Sequence, residues 1–360
     1  MRQRITLPGG FDVRQQGGLR GRSGRGPAEV SHRVDMVIGG MEEPMKVSDH
    51  SGRWRTYVES WDPEYGTSSG FDLDGDGAAE RAEPGDFVVP GWSGGPVPLA
   101  FIDGRRRVEL SLWSEHDASG DRVPGLLGAY AVGAVTIAPG RPAAFSGCRV
   151  GRLAVWGGGH TGDVAGNGFR WVSDSVPVVE HAELLAHLQD RMRQAEGSLA
   201  LDAADAGWNV VLDGPLNRVT RLHAMVTGYI KSHHRSLLPP DDHRRVPGLG
   251  IGERTALYVL GSDRYTCYCR IGHPGAGASP WGGIARLEFP SAAGLADVAA
   301  RASLLAATLP RYAGAAHRDP RAPVNLSPVK NLEDHLSRSM GRVEFATRAA
   351  RDAVITRGAA

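Results

Sequence analysis

Lysine is nearly missing from this chain. Its 41 basic residues are arginines except Lys46, Lys231 and Lys330. Such a bias commonly follows genome composition, but a lysine that survives it can mark a site needing a compact ammonium that a planar guanidinium cannot replace. Cysteine is also scarce: Cys148, Cys267 and Cys269 are an odd number, and the last two alternate within an expected strand. Neither a disulfide framework nor a zinc site is suggested, and reduced thiols are expected. No apolar stretch approaches the roughly 18 residues that a membrane span requires, and the N-terminus lacks the apolar core of a secretory signal. The expectation is a cytoplasmic protein with no membrane partner. Charge of one sign is not in excess either: 41 basic and 40 acidic side chains leave a formal net charge of +1. Any nucleic-acid surface must therefore come from local segregation of charge.

What the chain does have is length and core material. With 360 residues and 41% hydrophobic content it can bury a full core, as one large domain or two smaller ones. Residues 1 to about 33 are rich in glycine and arginine without apolar periodicity, and a disordered tail is expected over 1–45. Residues 46–97 are mixed and turn-rich and read as an irregular extension. Regular elements are expected in 98–360. A strand from about Pro98 to Leu112 would place Ile102, Val108, Leu110 and Leu112 on one face and Asp103, Arg105, Arg107, Glu109 and Ser111 on the other. Strands at 127–138 and 149–156 complete an antiparallel meander. A long helix over 179–202, a buried strand at 208–212 and a second helix over 216–231 give the order βββαβα. Further strands are expected at 254–260, 265–271 and 284–289, then helices near 291–309, 327–340 and 343–356. Ser327-Pro328 reads as an N-cap serine followed by a proline in the first helical position. The expected class is α/β: a mixed sheet flanked by helices.

Two short apolar runs end in the same way, Leu99-Ala-Phe-Ile-Asp103-Gly104 and Val210-Val-Leu-Asp213-Gly214. Each reads as a buried strand ending in a carboxylate on a tight turn, costly unless the charge has a partner. An Asp-Gly pair is also an ordinary turn signal. In the long helix Leu185, Leu188, Met192 and Leu199 form an apolar stripe, and Glu196 falls on it one turn beyond Met192. An inward carboxylate needs a cation, although Glu196 also fits a solvated helix end before Gly197. Strand aspartate, helix glutamate and strand aspartate in that order is the pattern of the ribonuclease-H-like fold, in which such a cluster binds two divalent ions. Hard oxygen ligands suit Mg²⁺ or Mn²⁺. Arg105 and Arg107, on the strand face of Asp103, and Lys231, at the end of the expected second helix, are candidates to hold a phosphodiester. Salt bridging is the alternative role.

The segments Phe101-Ile-Asp103-Gly104-Arg-Arg-Arg107, Leu212-Asp213-Gly214-Pro215-Leu216, Gly228-Tyr-Ile-Lys231 and Arg321-Ala-Pro-Val-Asn325-Leu326 together resemble the NurA nuclease family over about residues 98–345. The resemblance implies a ribonuclease-H-like, manganese-dependent DNA nuclease, acting as a homodimer with a hexameric HerA-type ATPase in DNA-end processing. It implies Asp103 and Asp213 as metal-binding aspartates and Glu196 as the glutamate between them, with Glu180 and Glu183 on the same helix as alternatives. Lys330 stands where the family typically carries a histidine. A protonated lysine is no ordinary metal ligand, so either a ligand is missing or Lys330 contacts phosphate. Two functions follow: a nuclease serving DNA repair or defence, with Asp103, Glu196 and Asp213 on the metal and Lys231, Arg107 and Lys330 on phosphate, or a non-catalytic DNA-binding or assembly subunit of the same fold.

Other motifs compete. Asp72-Leu-Asp74-Gly-Asp76-Gly77, with Glu83, has the ligand spacing of a calcium loop, but Gly66-Thr-Ser-Ser-Gly70 before it and Pro84-Gly85 after it deny it flanking helices. Gly157-Gly-Gly-His160-Thr-Gly162 lacks the lysine of a phosphate-binding loop and reads as a turn. His233, His234, Asp241, Asp242 and His243 read as a solvated loop beyond a helix end.

Overall fold

The chain enters its sheet at β1 (Val88–Pro90), a short strand paired antiparallel with a later one, and then forms the two longest strands, β2 (Leu99–Glu115) and β3 (Arg122–Ile137). The computed structural model describes residues 79–358, apart from 93, 117–119, 234–235, 276–277, 316 and 320. All of these fall within one compact unit. The expected tail over 1–45, most of the extension and the acidic run Asp72–Gly77 lie outside the described residues.

β2 and β3 pair antiparallel along their whole length, and β4 (Ala144–Trp156) adds to β3 to complete the expected meander. Two strands the sequence did not announce follow, β5 (Val164–Gly166) and β6 (Phe169–Ser175), with β6 parallel to the end of β4. Then come the long helix α1 (His181–Asp205) and the buried strand β7 (Asn209–Asp213), which pairs parallel with β2. The expected helix over 216–231 is not there. A single 3₁₀ turn at Leu216–Arg218 leads instead to β8 (Val226–Ile230), parallel to β7 and buried throughout. Lys231 thus follows a strand rather than ending a helix. The apolar residues of this stretch satisfy both periods, and the sheet edge offered by β7 decides between them.

After a short helix α2 (Pro240–Arg245), the strands β9 (Glu253–Thr255), β10 (Tyr258–Leu260), β11 (Arg264–Arg270) and β12 (Ile284–Pro290) extend the sheet on the far side of β8. The resulting order is β1-β9-β11-β12-β8-β7-β2-β3-β4-β6-β5, with β10 paired to β11. The chain closes with α3 (Leu295–Thr308), α4 (Ser327–Ser339) and α5 (Val343–Gly358). Ser327 is the first helical residue of α4 rather than its cap: Leu326 holds the cap position and the serine hydroxyl turns to the Ala313 carbonyl. Among the described residues no helix is long and apolar enough to cross a membrane.

The two faces of the central strands pack separately. Leu99 and Phe101 of β2, Val211 of β7 and Tyr229 of β8 join a core with Leu332 and Leu336 of α4. Ala100, Ile102, Val210 and Leu212 join another with Met192 and Leu199 of α1. Complete burial of a side chain such as Phe101 contributes about 1.5–3 kcal/mol. The alternation along β2 breaks at a bulge between Val108 and Leu110. The extra residue turns Glu109 inward and leaves Val108, expected on the apolar face, 39% exposed.

Candidate active site

Asp103 and Asp213 meet because β2 and β7 are parallel neighbours in register. Ile102 pairs with Leu212, and one step further the two aspartates stand side by side. Phe101 and Val211 lie in the core under α4, so alternation puts both carboxylates on the α4 side of the sheet. Asp103 does not end its strand, as the Asp-Gly pair led one to expect; β2 runs on to Glu115. Gly104 has a different reason to be glycine. A Cβ there would lie 2.4 Å from Glu196 Oε1 and 2.9 Å from Met192 Cγ. The missing side chain lets α1 press Glu196 against β2 next to Asp103, on the face opposite the two aspartate side chains. Gly214, by contrast, directly follows the end of β7, bridged to Tyr229, with φ of +118°, a conformation that favours glycine.

The Glu196 side chain is buried at 4% exposure, on the same helix stripe as Leu188 and Met192. Glu180 and Glu183 are exposed at the helix start. Burial first, and the Asp213 charge after it, push the Glu196 carboxyl up to about 8 against the pull of Arg193 and Lys231. Asp103 is raised well above the usual carboxylate range by burial, then by Asp213, with Glu196 and Glu333 adding to it and Lys231 opposing. Its Oδ2 is buried without a hydrogen-bond partner among the described residues. A buried, unpaired carboxylate oxygen among other carboxylates is unfavourable without a further cation.

Lys231 supplies part of that charge. Its Nζ lies 2.5 Å from Asp213 Oδ2 and donates to Asn325 Oδ1 at 2.9 Å. From Asn325 a polar chain leads away from the site: its amide donates to Asp319 Oδ2 at 2.5 Å, Arg321 bonds Asp319, and Arg321 Nη2 reaches Glu333 Oε2 at 2.9 Å. The loop before α4 therefore clamps the lysine from above. As placed, no group of three His, Cys, Asp or Glu among the described residues could hold a metal ion. The donors are nonetheless of the right kind for a hard divalent cation: all are carboxylate oxygens, and one of them has no partner.

The other cations expected at the site are distributed differently. Arg105 is exposed, two residues beyond Asp103 on the same strand. Arg107 is engaged with buried Glu109, at 2.7 Å, and with the carbonyls of Met340 and Gly341. Glu109 also accepts from Trp171 Nε1 at 2.8 Å. Lys330 pairs with Asp334 one helical turn on, at 2.8 Å. Sequence reasoning passed over Arg193, one turn before Glu196, and Asn325, which lies inside a segment already singled out. Helical spacing from Glu196 would have found the first.

The competing motifs take structural roles where they are described. Glu83, last residue of the calcium-like spacing, is held by Arg254 through both oxygens, at 2.6 and 2.8 Å, and accepts from the Leu257 N–H. His233 Nε2 faces the Ile284 carbonyl at 2.9 Å. Asp242 accepts from Tyr258 at 2.6 Å. In the glycine-rich run, the Gly162 carbonyl accepts from Trp156 Nε1 at 2.9 Å.

No protein-family description matches the chain, and no curated protein does. Among solved structures it is similar to the NurA nuclease from Sulfolobus solfataricus, at 12% identity and a TM-score of 0.41, over 68% of this chain and 81% of that one. The likeness assigns no role to any residue here.

Proposed function

We propose that this protein is a metal-dependent DNA nuclease with a ribonuclease-H-like core. The observation that carries the reading is the register of β2 and β7, which sets Asp103 beside Asp213, together with an unsatisfied Asp103 oxygen and the buried Glu196 that α1 brings against Gly104. The central order β4-β3-β2-β7-β8 supports the fold: an antiparallel meander whose first strand carries two parallel strands on its other edge. Asp103, Glu196 and Asp213 would hold Mg²⁺ or Mn²⁺. Two such ions supply an activated water and a counter-charge for the leaving oxygen. Asp103 and Asp213 fix the donors on rigid strand positions, and Glu196 closes the set from the helix. Lys231, oriented by Asn325, neutralises Asp213 and presents its ammonium to a phosphate oxygen. Arg105 extends the phosphate contact along β2. The reading extends to a cytoplasmic homodimer working with a HerA-type ATPase on DNA ends, in repair or defence.

The test is cleavage of DNA by the purified protein with Mn²⁺ or Mg²⁺ and with EDTA. Wild type should cleave only with metal, and Asp103→Asn and Asp213→Asn should lose cleavage while melting cooperatively. Full activity in either variant rejects the assignment. One observation favours a second reading, a non-catalytic DNA-binding or assembly subunit: Lys231 already sits on Asp213 as a cation would. That subunit would bind DNA and take up no Mn²⁺.

A further inference from the structure

We infer that Arg193 and Arg106 form a phosphate-binding pair on the α1 side of the site, taking a backbone phosphate of the DNA strand next to the scissile bond. The inference rests on the nuclease reading for its substrate, and on independent geometry for its place. Arg193 lies one helical turn before Glu196, and its Nη1 stands 3.0 Å from where a Cβ of Gly214 would be. Its guanidinium thus lies over Gly214, the residue that follows Asp213. Arg106 lies two residues past Gly104 on the same face of β2, and its Nε donates to Gln189 Oε1 of α1. Gln189 is one turn before Arg193, so helix and strand bring the two guanidinium groups near each other on the α1 face, where α1 also carries Glu196.

Among the described residues neither is held in an ion pair with a carboxylate. The partner of Arg106 is a neutral amide, and Arg193 makes no hydrogen bond or ion pair among the described residues. Each feels the other: burial, and then the charge of Arg193, lower the pKa of Arg106. Two facing cations become favourable once an anion lies between them, and a phosphodiester offers oxygens that match the guanidinium fork. The cations favoured from sequence have less to offer, since Arg107 is committed to Glu109 and Lys330 to Asp334. The rival role for Arg193 is that of counter-ion to Glu196, whose carboxyl it stabilises. That role would leave the salt dependence of DNA binding unchanged.

Binding of a dye-labelled DNA oligonucleotide, followed by anisotropy in EDTA over a series of salt concentrations, tests the pair without cleavage. Arg193→Gln should weaken binding and reduce the slope of log K against log [salt] by about 0.7–0.9. Arg106→Gln, an exposed site that spares the fold, should do the same. Arg191→Gln is the control; its guanidinium is held by Asp174 at 3.1 Å, and its slope should match wild type. Wild-type slopes and affinities in both variants, or no DNA binding by the wild type, overturn the inference. Mn²⁺-dependent cleavage by the wild type, measured in parallel, reports on the nuclease reading separately. Cleavage with unchanged slopes sinks only the arginine pair. Reduced slopes without cleavage sink only the nuclease.

Discussion

Replacing Glu196 with glutamine should stabilise the metal-free protein at alkaline pH, contrary to the usual effect of altering a buried residue. The Glu196 carboxyl titrates near 8 in the folded chain against an ordinary 4.5. Between those values the folded state binds a proton that the unfolded state has released, so stability falls as pH rises through the window. The full difference is worth on the order of 3–5 kcal/mol. Glutamine has the same shape and no charge to desolvate, so the variant should resemble wild type at about pH 5 and exceed it by a few kcal/mol at about pH 8.5. Urea denaturation in EDTA across this range measures the effect. Added Mn²⁺ should reverse the order, stabilising wild type and leaving the variant where it was. A variant less stable than wild type at both ends of the range would refute the reasoning.

Gly104→Ala should cost about 1–3 kcal/mol and abolish metal-dependent cleavage, because the new methyl would meet Glu196 Oε1 at 2.4 Å; melting curves and the nuclease assay report the two effects separately. Glu83→Gln should destabilise the protein at neutral pH without altering cleavage. Burial alone would raise the Glu83 carboxyl, but its bonds to Arg254 and the Leu257 N–H hold it below the usual value. Its stabilisation is therefore present above about pH 4.5 and lost as pH falls, so the variant should also show a flatter acid limb in pH-dependent melts. Ca²⁺ should raise the melting temperature of neither form, since both Glu83 oxygens are already engaged.

The positions of the three acidic residues were legible because each sits on a strong periodic signal. Asp103 and Asp213 end runs that are buried on both faces of the sheet, and Glu196 interrupts an apolar helical stripe. Position in the chain showed which elements carry them; register sets Asp103 beside Asp213. The misplaced helix over 216–231 shows the limit. Its apolar residues suit either period, and only pairing with β7, itself placed by β2, makes Val226–Ile230 a strand. The Lys330–Asp334 pair was visible as an i,i+4 spacing on a helix. The contact of Lys231 with Asn325 spans 94 positions, and no local pattern encodes it. Gly104 was misread for a similar reason, since its neighbour is a helix far along the chain.

The most direct test of the central claim is a calorimetric titration of Mn²⁺ into the wild-type protein and into Asp213→Asn. Saturable binding to wild type, lost or strongly weakened in the variant, is the predicted result. Identical heats for the two proteins, or none beyond dilution in either, would contradict it.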